Sequence, residues 1–339
     1  MKKYSKWKVG LLASLAVLLL AAGIGYANRG ALEAWGYDMF FSKQVEKKLA
    51  DSYRPLQDRP VSQAVQIEKP FSVLLMGVDS RANEPGRSDT LIYSVIRPMD
   101  GNVLMISIPR DTYAEIAGRN KYDKITHSYV FGGPEMTVST VEKLLQAKVD
   151  HYASINFQGF VQVVDTLGGI PLPITEDIVN KGKDHEKFTI KANQSLYNGK
   201  DALNFVRYRE DAGDDVSRAQ RNRVFLEALI HKTASMQQWS KIPEILGIIG
   251  DNFRTDILPS SMTDLAKKFL QADHRIKSYT LSGVGKRMGP SNLWYFVADE
   301  NDLQAVRDTI TTWLNPSSGE AQLTVPSETS PAIQPQIPA

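Results

Sequence analysis

The stretch GVDSRANEPGRSDT (residues 77–90) sets Asp79 and Asp89 beside Arg81 and Arg87, with an apolar run on either side. Two further clusters share this mixed character: IPRD, ending in Arg110 and Asp111, and RYREDAGDDVSRAQRNR, with Arg207, Arg209, Arg218, Arg221 and Arg223. Arginine presents a rigid fork of donors that matches phosphate oxygens two at a time. Carboxylates in the same place would repel such an anion unless a hard cation sat between them. Mg2+ meets that need, because it takes one or two carboxylates and draws its other ligands from water and substrate phosphates. Asp79 and Asp89 are the candidate metal ligands, with Mn2+ as the substitute metal. Taken singly, each cluster has a plainer reading as exposed ion pairs worth under about 1 kcal/mol. Treated together, the three make one phosphate-binding site.

Other chemistries lack their residues. The chain has no cysteine, which removes disulfides, thiolate metal sites and a cysteine nucleophile. It has no G-x-S-x-G elbow, no HExxH and no Walker glycine loop. GGPEM and LGGIP read as turn glycines. Paired carboxylates acting on glycosides would leave the arginines unexplained. His127, in KITHSYVFGG, reads as a structural histidine rather than a general base.

The elements that must position these clusters follow from periodicity. FSVLLMGV, TLIYSVIR and NVLMISIPR are apolar and β-branched, as buried strands are. GGPEMTVSTVEKLLQAK has Pro134 near a helix start and helical apolar spacing. HYASINF is a further strand, QGFVQVVDTLGG a helix closed by glycine, and IPLPI a short strand. GKDALNFVRYRE begins a helix, and SRAQRNRVFLEALIHKTASM is another with Ser217 as its N-cap. Its stripe of Val224, Leu226, Leu229 and Ile230 is core or the wall of a groove. KIPEILGIIGDNF and PSSMTDLAKKFLQA are two more helices, RIKSYTLS a late strand and NDLQAVRDTITTWL a closing helix. Strands alternating with helices predict an α/β domain with helices covering a sheet.

The first thirty residues address a membrane. Residues 1–8 carry Lys2, Lys3, Lys6 and Lys8 and no acid, and residues 9–27 carry no charge. Nineteen residues at 1.5 Å each span roughly 28 Å, about the hydrocarbon thickness of a bilayer. The run is long for a cleaved signal and is read as a single transmembrane helix, lysines cytoplasmic and the remainder outside. Residues 28–70 form a juxtamembrane helix and connector, 71–314 the extracytoplasmic domain, and 315–339 a disordered Pro/Ser-rich tail. Without the four leading lysines, 36 of the 40 basic residues remain against 38 acidic ones. That balance argues against nucleic acid as a partner.

The ordered set VLLMGVDSR…GRSDT, ISIPRD, KITHSYVFGG, INFQGFVQVVDTLGGI and ALNFVRYRE…GDDVSRAQR resembles the LytR–CpsA–Psr family of bacterial cell-wall proteins, from about Phe71 to Lys232. The resemblance implies a three-layer α/β/α sandwich around a mostly buried mixed sheet, with a hydrophobic tunnel for a prenyl chain. It also implies a phosphotransferase of Gram-positive cell membranes. Such enzymes move a glycopolymer (teichoic acid or another wall or capsular polysaccharide) from an undecaprenyl-pyrophosphate carrier to peptidoglycan, at the MurNAc 6-hydroxyl. The family's Mg2+ ligands fall on Asp79 and Asp89, and its pyrophosphate-binding arginines on Arg87, Arg110, Arg207, Arg209 and Arg218. Arg81, Asp111 and Arg221 also lie in its motifs. Asn222 stands where a glutamine often follows the RxxR pair.

The catalytic group is then Arg110, Asp89 and Asp111, with Asp89 or Asp111 as acceptors for the proton of the attacking hydroxyl. Two rival functions stand beside it. A membrane-tethered binder of polyprenyl pyrophosphates or anionic wall polymers would need the arginines and an apolar pocket but not the acids. A transcriptional regulator would need the domain in the cytoplasm.

Overall fold

Every residue of NVLMISI is buried, as a strand covered on both faces must be. In the computed structural model, which describes residues 49–57, 65–66, 68–79, 86–181, 187–208, 215–234, 252–271 and 275–326, this run is central strand β3, Asn102–Ile108. Before it come β1, Phe71–Asp79, and β2, Arg87–Arg97. After it come β4, Tyr113–Ile116, β5, Lys121–Lys124, helix α1, His127–Leu145, β6, His151–Asn156, and α2, Phe157–Thr166. The chain continues through β7, Ile178–Asn180, β8, Phe188–Ile190, α3, Gly199–Arg207, α4, Asp215–Ala234, and β9, Phe253–Thr255. It closes with α5, Pro259–Gln271, β10, Arg275–Thr280, β11, Gly283–Met288, β12, Leu293–Ala298, and α6, Glu300–Leu314.

Six strands make one mixed sheet in the order β10-β3-β2-β1-β6-β9. β2 runs antiparallel to β1 and to β3, whereas β6 lies parallel to β1 and β10 parallel to β3. Alternation along the strands divides the core. Leu74, Leu91, Tyr93 and Ile106 pack with Val138 and Val141 of α1 and with Ile310 and Trp313 of α6. On the opposite face Ile92 and Met105 meet Leu226 of α4, while Val73 meets Met262 and Leu265 of α5. Val164 of α2, Phe205 of α3 and Phe225 of α4 share a second cluster there. The result is a mixed sheet with helices on both faces. The expected membrane helix, residues 9–27, and the juxtamembrane helix lie outside the described residues; among those described, no helix is long and apolar enough to cross a membrane.

Several local expectations change. IPLPI is not a strand: only Ile170 pairs, exchanging two 2.9 Å hydrogen bonds with Tyr197. Pro171 and Pro173 have no N–H to give to a ladder. Phe253, the last residue of KIPEILGIIGDNF, opens strand β9, which pairs with Ala153–Ile155 at the sheet edge; residues 241–251 of that run lie outside the described residues. Ser217 is inside α4, which begins at Asp215, rather than at its cap. α1 begins at His127, and the backbone leaves helical geometry at Gly132 and Gly133 just before Pro134. The turn after α2 uses Gly168 and Gly169, at φ 76° and 93°, a conformation glycine adopts without penalty.

The folded unit exceeds residues 71–314 at both ends. Residues 52–54 add to the edge of β9 through Arg54 N–Thr255 O at 2.7 Å and Thr255 N–Ser52 O at 3.0 Å. Residues 315–326, assigned by composition to a disordered tail, pack instead: Leu323 is fully buried and the indole of Trp313 donates to Thr324 O at 2.9 Å. Arg97 organises this end. Its buried guanidinium donates to the carbonyls of Trp313, Asn315 and Ser318 at 2.8, 2.8 and 3.0 Å and to Asp100 at 2.8 Å. Helix C-termini leave carbonyls without intrahelical partners, and here an arginine from β2 satisfies them. Arg97→Ala is expected to lower stability by about 2 kcal/mol, since it leaves buried acceptors unmet. Denaturant unfolding followed by circular dichroism would measure it; an unchanged midpoint would refute the assignment.

Candidate active site

Asp89 owes its position to a fault in a ladder. Between β1 and β2, Gly77 pairs with Thr90 and Val78 with Ser88, so the register skips Asp89. Such bulges re-aim side chains and recur beside active sites. Asp79 ends β1 directly across from Arg87, which is exposed. The two carboxylates therefore come from neighbouring positions at the ends of adjacent strands.

Arg110 leaves the end of β3 and meets the bulge. Its Nη1 lies 2.5 Å from Asp89 Oδ1, with both side chains about one-fifth exposed. A turn fixes the approach: Thr112 donates from both N and Oγ1 to Pro109 O, at 3.0 and 2.6 Å. Asp111 points inward, almost fully buried. Its Oδ1 takes a 2.8 Å bond from Lys124 Nζ of β5, and its Oδ2 lies 3.9 Å from Arg110 Nε. Asp111 thus lies behind Arg110, bonded to Lys124 and turned away from solvent, a different place from that of an exposed proton acceptor.

Two threonines brace this arrangement. Thr126 precedes α1, but its hydroxyl does not cap the helix; it donates to Ser88 O at 3.0 Å, while its N–H donates to Arg110 O at 3.1 Å. Both strands that carry the acid and the arginine are thereby tied to one residue. On the other side, Asn222 of α4 is buried and donates through Nδ2 to Thr90 Oγ1 at 3.0 Å. The shorter amide at this position is spent on the strand residue next to Asp89. His127 is held by Asp123, Nδ1 to Oδ2 at 3.0 Å, and meets Phe131 edge-on.

Two further arginines lie at the same end. Arg207 stacks over Phe157 at 4.8 Å. Arg221 donates to Tyr208 O at 2.7 Å and lies 5.0 Å from the centre of that ring, which fixes the chain as it leaves α3. Arg81 and Arg209 lie outside the described residues, and Arg218 is described only as backbone of α4. Among the described residues no group of three or more His, Asp or Glu side chains converges as a metal cage. A pair of carboxylates beside arginines is the donor set of an ion that completes its shell with phosphate oxygens.

Between the sheet and helices α2, α3 and α4 runs an apolar cavity of about 170 Å³. Leu75, Ile92, Ala153, Phe160, Phe225 and Leu226 form its walls, and Gly77, Thr90 and Asn222 line it as well. The cavity therefore reaches the bulge, one residue from Asp89. The apolar stripe of α4 is thus a groove wall at Leu226 and Leu229. A Cβ on Gly77 would meet Thr90 Cβ at 3.1 Å, so glycine keeps the two strands close here.

Thr90, Lys124 and Thr126 were not singled out by sequence. Lys124 and Thr126 lie within KITHSYVFGG, but a lysine and a threonine in a polar run carry no signal until the hairpin brings them against Asp111 and Ser88.

Comparison with known proteins bears on the family. The model of the LytR_cpsA_psr family matches residues 39–312. The polyisoprenyl-teichoic acid–peptidoglycan teichoic acid transferase TagU of Bacillus licheniformis is 38% identical over 255 residues, 74% of this chain and 81% of that protein. TagU of Bacillus subtilis is 34% identical over 312 residues, 90% and 96% of the two chains. Among solved structures, B. subtilis TagV superposes with a TM-score of 0.63 at 32% identity, covering 73% of this chain and 98% of that one. TagT bound to LI-WTA does so at 0.61 and 27% identity, covering 77% and 99%. On the family model's span and these relatives, the chain belongs to the LytR–CpsA–Psr family.

Proposed function

We propose that this chain is a transferase that moves a teichoic acid, or a related wall glycopolymer, from a polyprenyl-pyrophosphate carrier to the 6-hydroxyl of N-acetylmuramic acid in peptidoglycan. The observation that carries the reading is the apolar cavity that ends beside the Asp89–Arg110 pair. The cavity's apolar lining suits a prenyl chain, and a pyrophosphate at its mouth would lie where the arginines are. The relatives named for teichoic acid transfer to peptidoglycan support the same substrate classes.

Phosphoryl transfer depends on alignment and on neutralising charge spread over the phosphoryl oxygens. Arg110, oriented by Asp89 on one side and by Asp111 below, would present its remaining N–H groups to those oxygens. Arg87 and Arg207 would add charge at the rim, and Asn222 would hold Thr90 and the bulge against α4. Asp79 and Asp89 would hold Mg2+, with Mn2+ as its substitute. When bound, such an ion supplies charge neutralisation at phosphate oxygens. The uncharged run at residues 9–27 supports a single-pass anchor, with this domain outside the membrane near its lipid-linked donor.

The test is direct. Full-length chain in detergent, given Mg2+, a prenyl-pyrophosphoryl saccharide and peptidoglycan oligomers, is expected to form a phosphodiester-linked product. Chelation with EDTA should abolish product, and Mg2+ or Mn2+ should restore it; turnover that survives EDTA would sink the metal assignment. Tight prenyl-lipid binding with no product under any condition would favour a tethered binder instead.

A further inference from the structure

The hairpin that follows Asp111 carries aromatic rings that the transfer site does not use. Tyr113 faces Lys124 across β4 and β5, and Glu115 faces Tyr122, while Ala114 and Ile116 point the other way and are buried. The rings of Tyr113 and Tyr122 stack with centroids 5.0 Å apart, and Tyr295 from β12 meets Tyr113 edge-on at 5.2 Å. Tyr122 is 52% exposed and Tyr113 36%. A contiguous exposed aromatic patch with a polar rim marks a binding surface more often than chance exposure. The rim here is polar: Asp123 pairs with His127 at 3.0 Å, and Glu115 pairs with Lys143 at 2.6 Å. Burial pushes the Asp123 carboxyl up, but bonds from His127 and the Lys124 N–H outweigh it and keep the group low, hence a charged acceptor.

Flat rings bordered by carboxylate and imidazole are suited to a pyranose sugar. Its apolar C–H face lies on the ring, and its hydroxyls reach the rim. Position then decides which sugar. Lys124 joins the hairpin to Asp111, and so to Arg110 and Asp89. The hairpin packs through Ala114 into the core on the α1 and α6 face of the sheet, whereas the apolar cavity lies under α2, α3 and α4 on the other face. A displacement at phosphorus keeps the attacking and leaving oxygens roughly in line. With the leaving prenyl phosphate drawn toward the cavity, the attacking hydroxyl enters from the opposite side, where the tyrosines are.

The geometry points to Tyr113, Tyr122 and Tyr295 as the seat of the acceptor, an N-acetylated pyranose strand laid across the rings so that one hydroxyl reaches the phosphate held at Arg110. This rests on the transfer reading above. Two measurements on the full-length chain in detergent separate them: calorimetric binding of lipid-free peptidoglycan glycan oligomers, and transfer kinetics with donor and acceptor varied in turn. Tyr122→Ser, alone or with Tyr113→Ser, is expected to raise the acceptor Kd and KM at least about tenfold while donor KM stays within about twofold. Tyr122→Phe, which keeps the ring, should behave as the parent. Unchanged acceptor binding in the double variant would overturn the proposal, as would a change confined to donor KM. Tyrosine-dependent glycan binding by a parent that transfers nothing would uphold the platform and remove the transfer reading. Tyr122 is more than half exposed, so its single variant is expected to keep the parent's melting temperature.

Discussion

Replacing Arg110 by alanine is expected to slow transfer at least about 100-fold, a loss of ~2.7 kcal/mol in transition-state stabilisation. The guanidinium is bonded to Asp89 at 2.5 Å before any substrate arrives, with Asp111, itself paired to Lys124, 3.9 Å behind its Nε. A donor fixed in advance pays little reorganisation when charge develops on the phosphoryl oxygens, which is where preorganised electrostatics is largest. Arg110→Lys is the informative companion. Lysine keeps the charge but has a single ammonium head, which cannot reach Asp89 and a phosphate through one rigid fork. It should recover only part of the rate, roughly tenfold of the 100-fold lost. Prenyl-lipid binding should change much less than turnover in both variants, because the cavity walls are untouched. A normal rate in Arg110→Ala would remove this residue from the machinery.

Asp89→Ala should cost a similar factor of about 100, for a different reason. The alanine removes a proposed metal ligand and also the carboxylate that aims Arg110. The distinguishing measurement is a double-mutant cycle. If acid and arginine act as one unit, the double variant should be scarcely slower than either single one. Additive losses would mean that Asp89 works through the metal alone. Raising Mg2+ should rescue Asp89→Ala little, and Arg110→Ala not at all. Full activity of Asp89→Ala at ordinary Mg2+ would refute both of its assigned roles.

Much of the site was legible because its residues sit where apolar runs stop. Asp79 and Arg110 end or follow buried strands, and a charged residue at the end of such a run turns toward the sheet rim; Asp111, one residue further on, turns inward instead. The pairing of Asp89 with Arg110 was only implicit, since it depends on β2 and β3 lying side by side. The commitment of Asp111 to Lys124 was not visible. It requires a four-residue hairpin strand, KYDK, whose sequence has neither alternation nor β-branched residues. The β11–β12 hairpin escaped for the reverse reason: WYFVA is apolar enough to be a strand, but nothing fixes its partner until Gly283–Met288 is placed beside it. Composition misjudged residues 315–326, because Pro, Ser and Gln outweigh the single Leu323 that buries. Contacts with Trp313 and Arg97 decide there, and both lie in other elements.

The bulge at Asp89 has a genetic consequence. Because strand residues alternate between faces, the register before an extra residue is out of phase with the register after it. Losing the single codon for position 89 would let Ser88 and Thr90 close into a more regular ladder, with every hydrophobic contact on the Thr90 side retained. Such a deletion would yield a well-folded protein stripped of its acid, so its sequence would still score as family while its chemistry had gone. A sister chain lacking one residue between the Gly-Arg-Ser and the Thr of this strand is therefore expected to keep the apolar cavity and to have given up transfer.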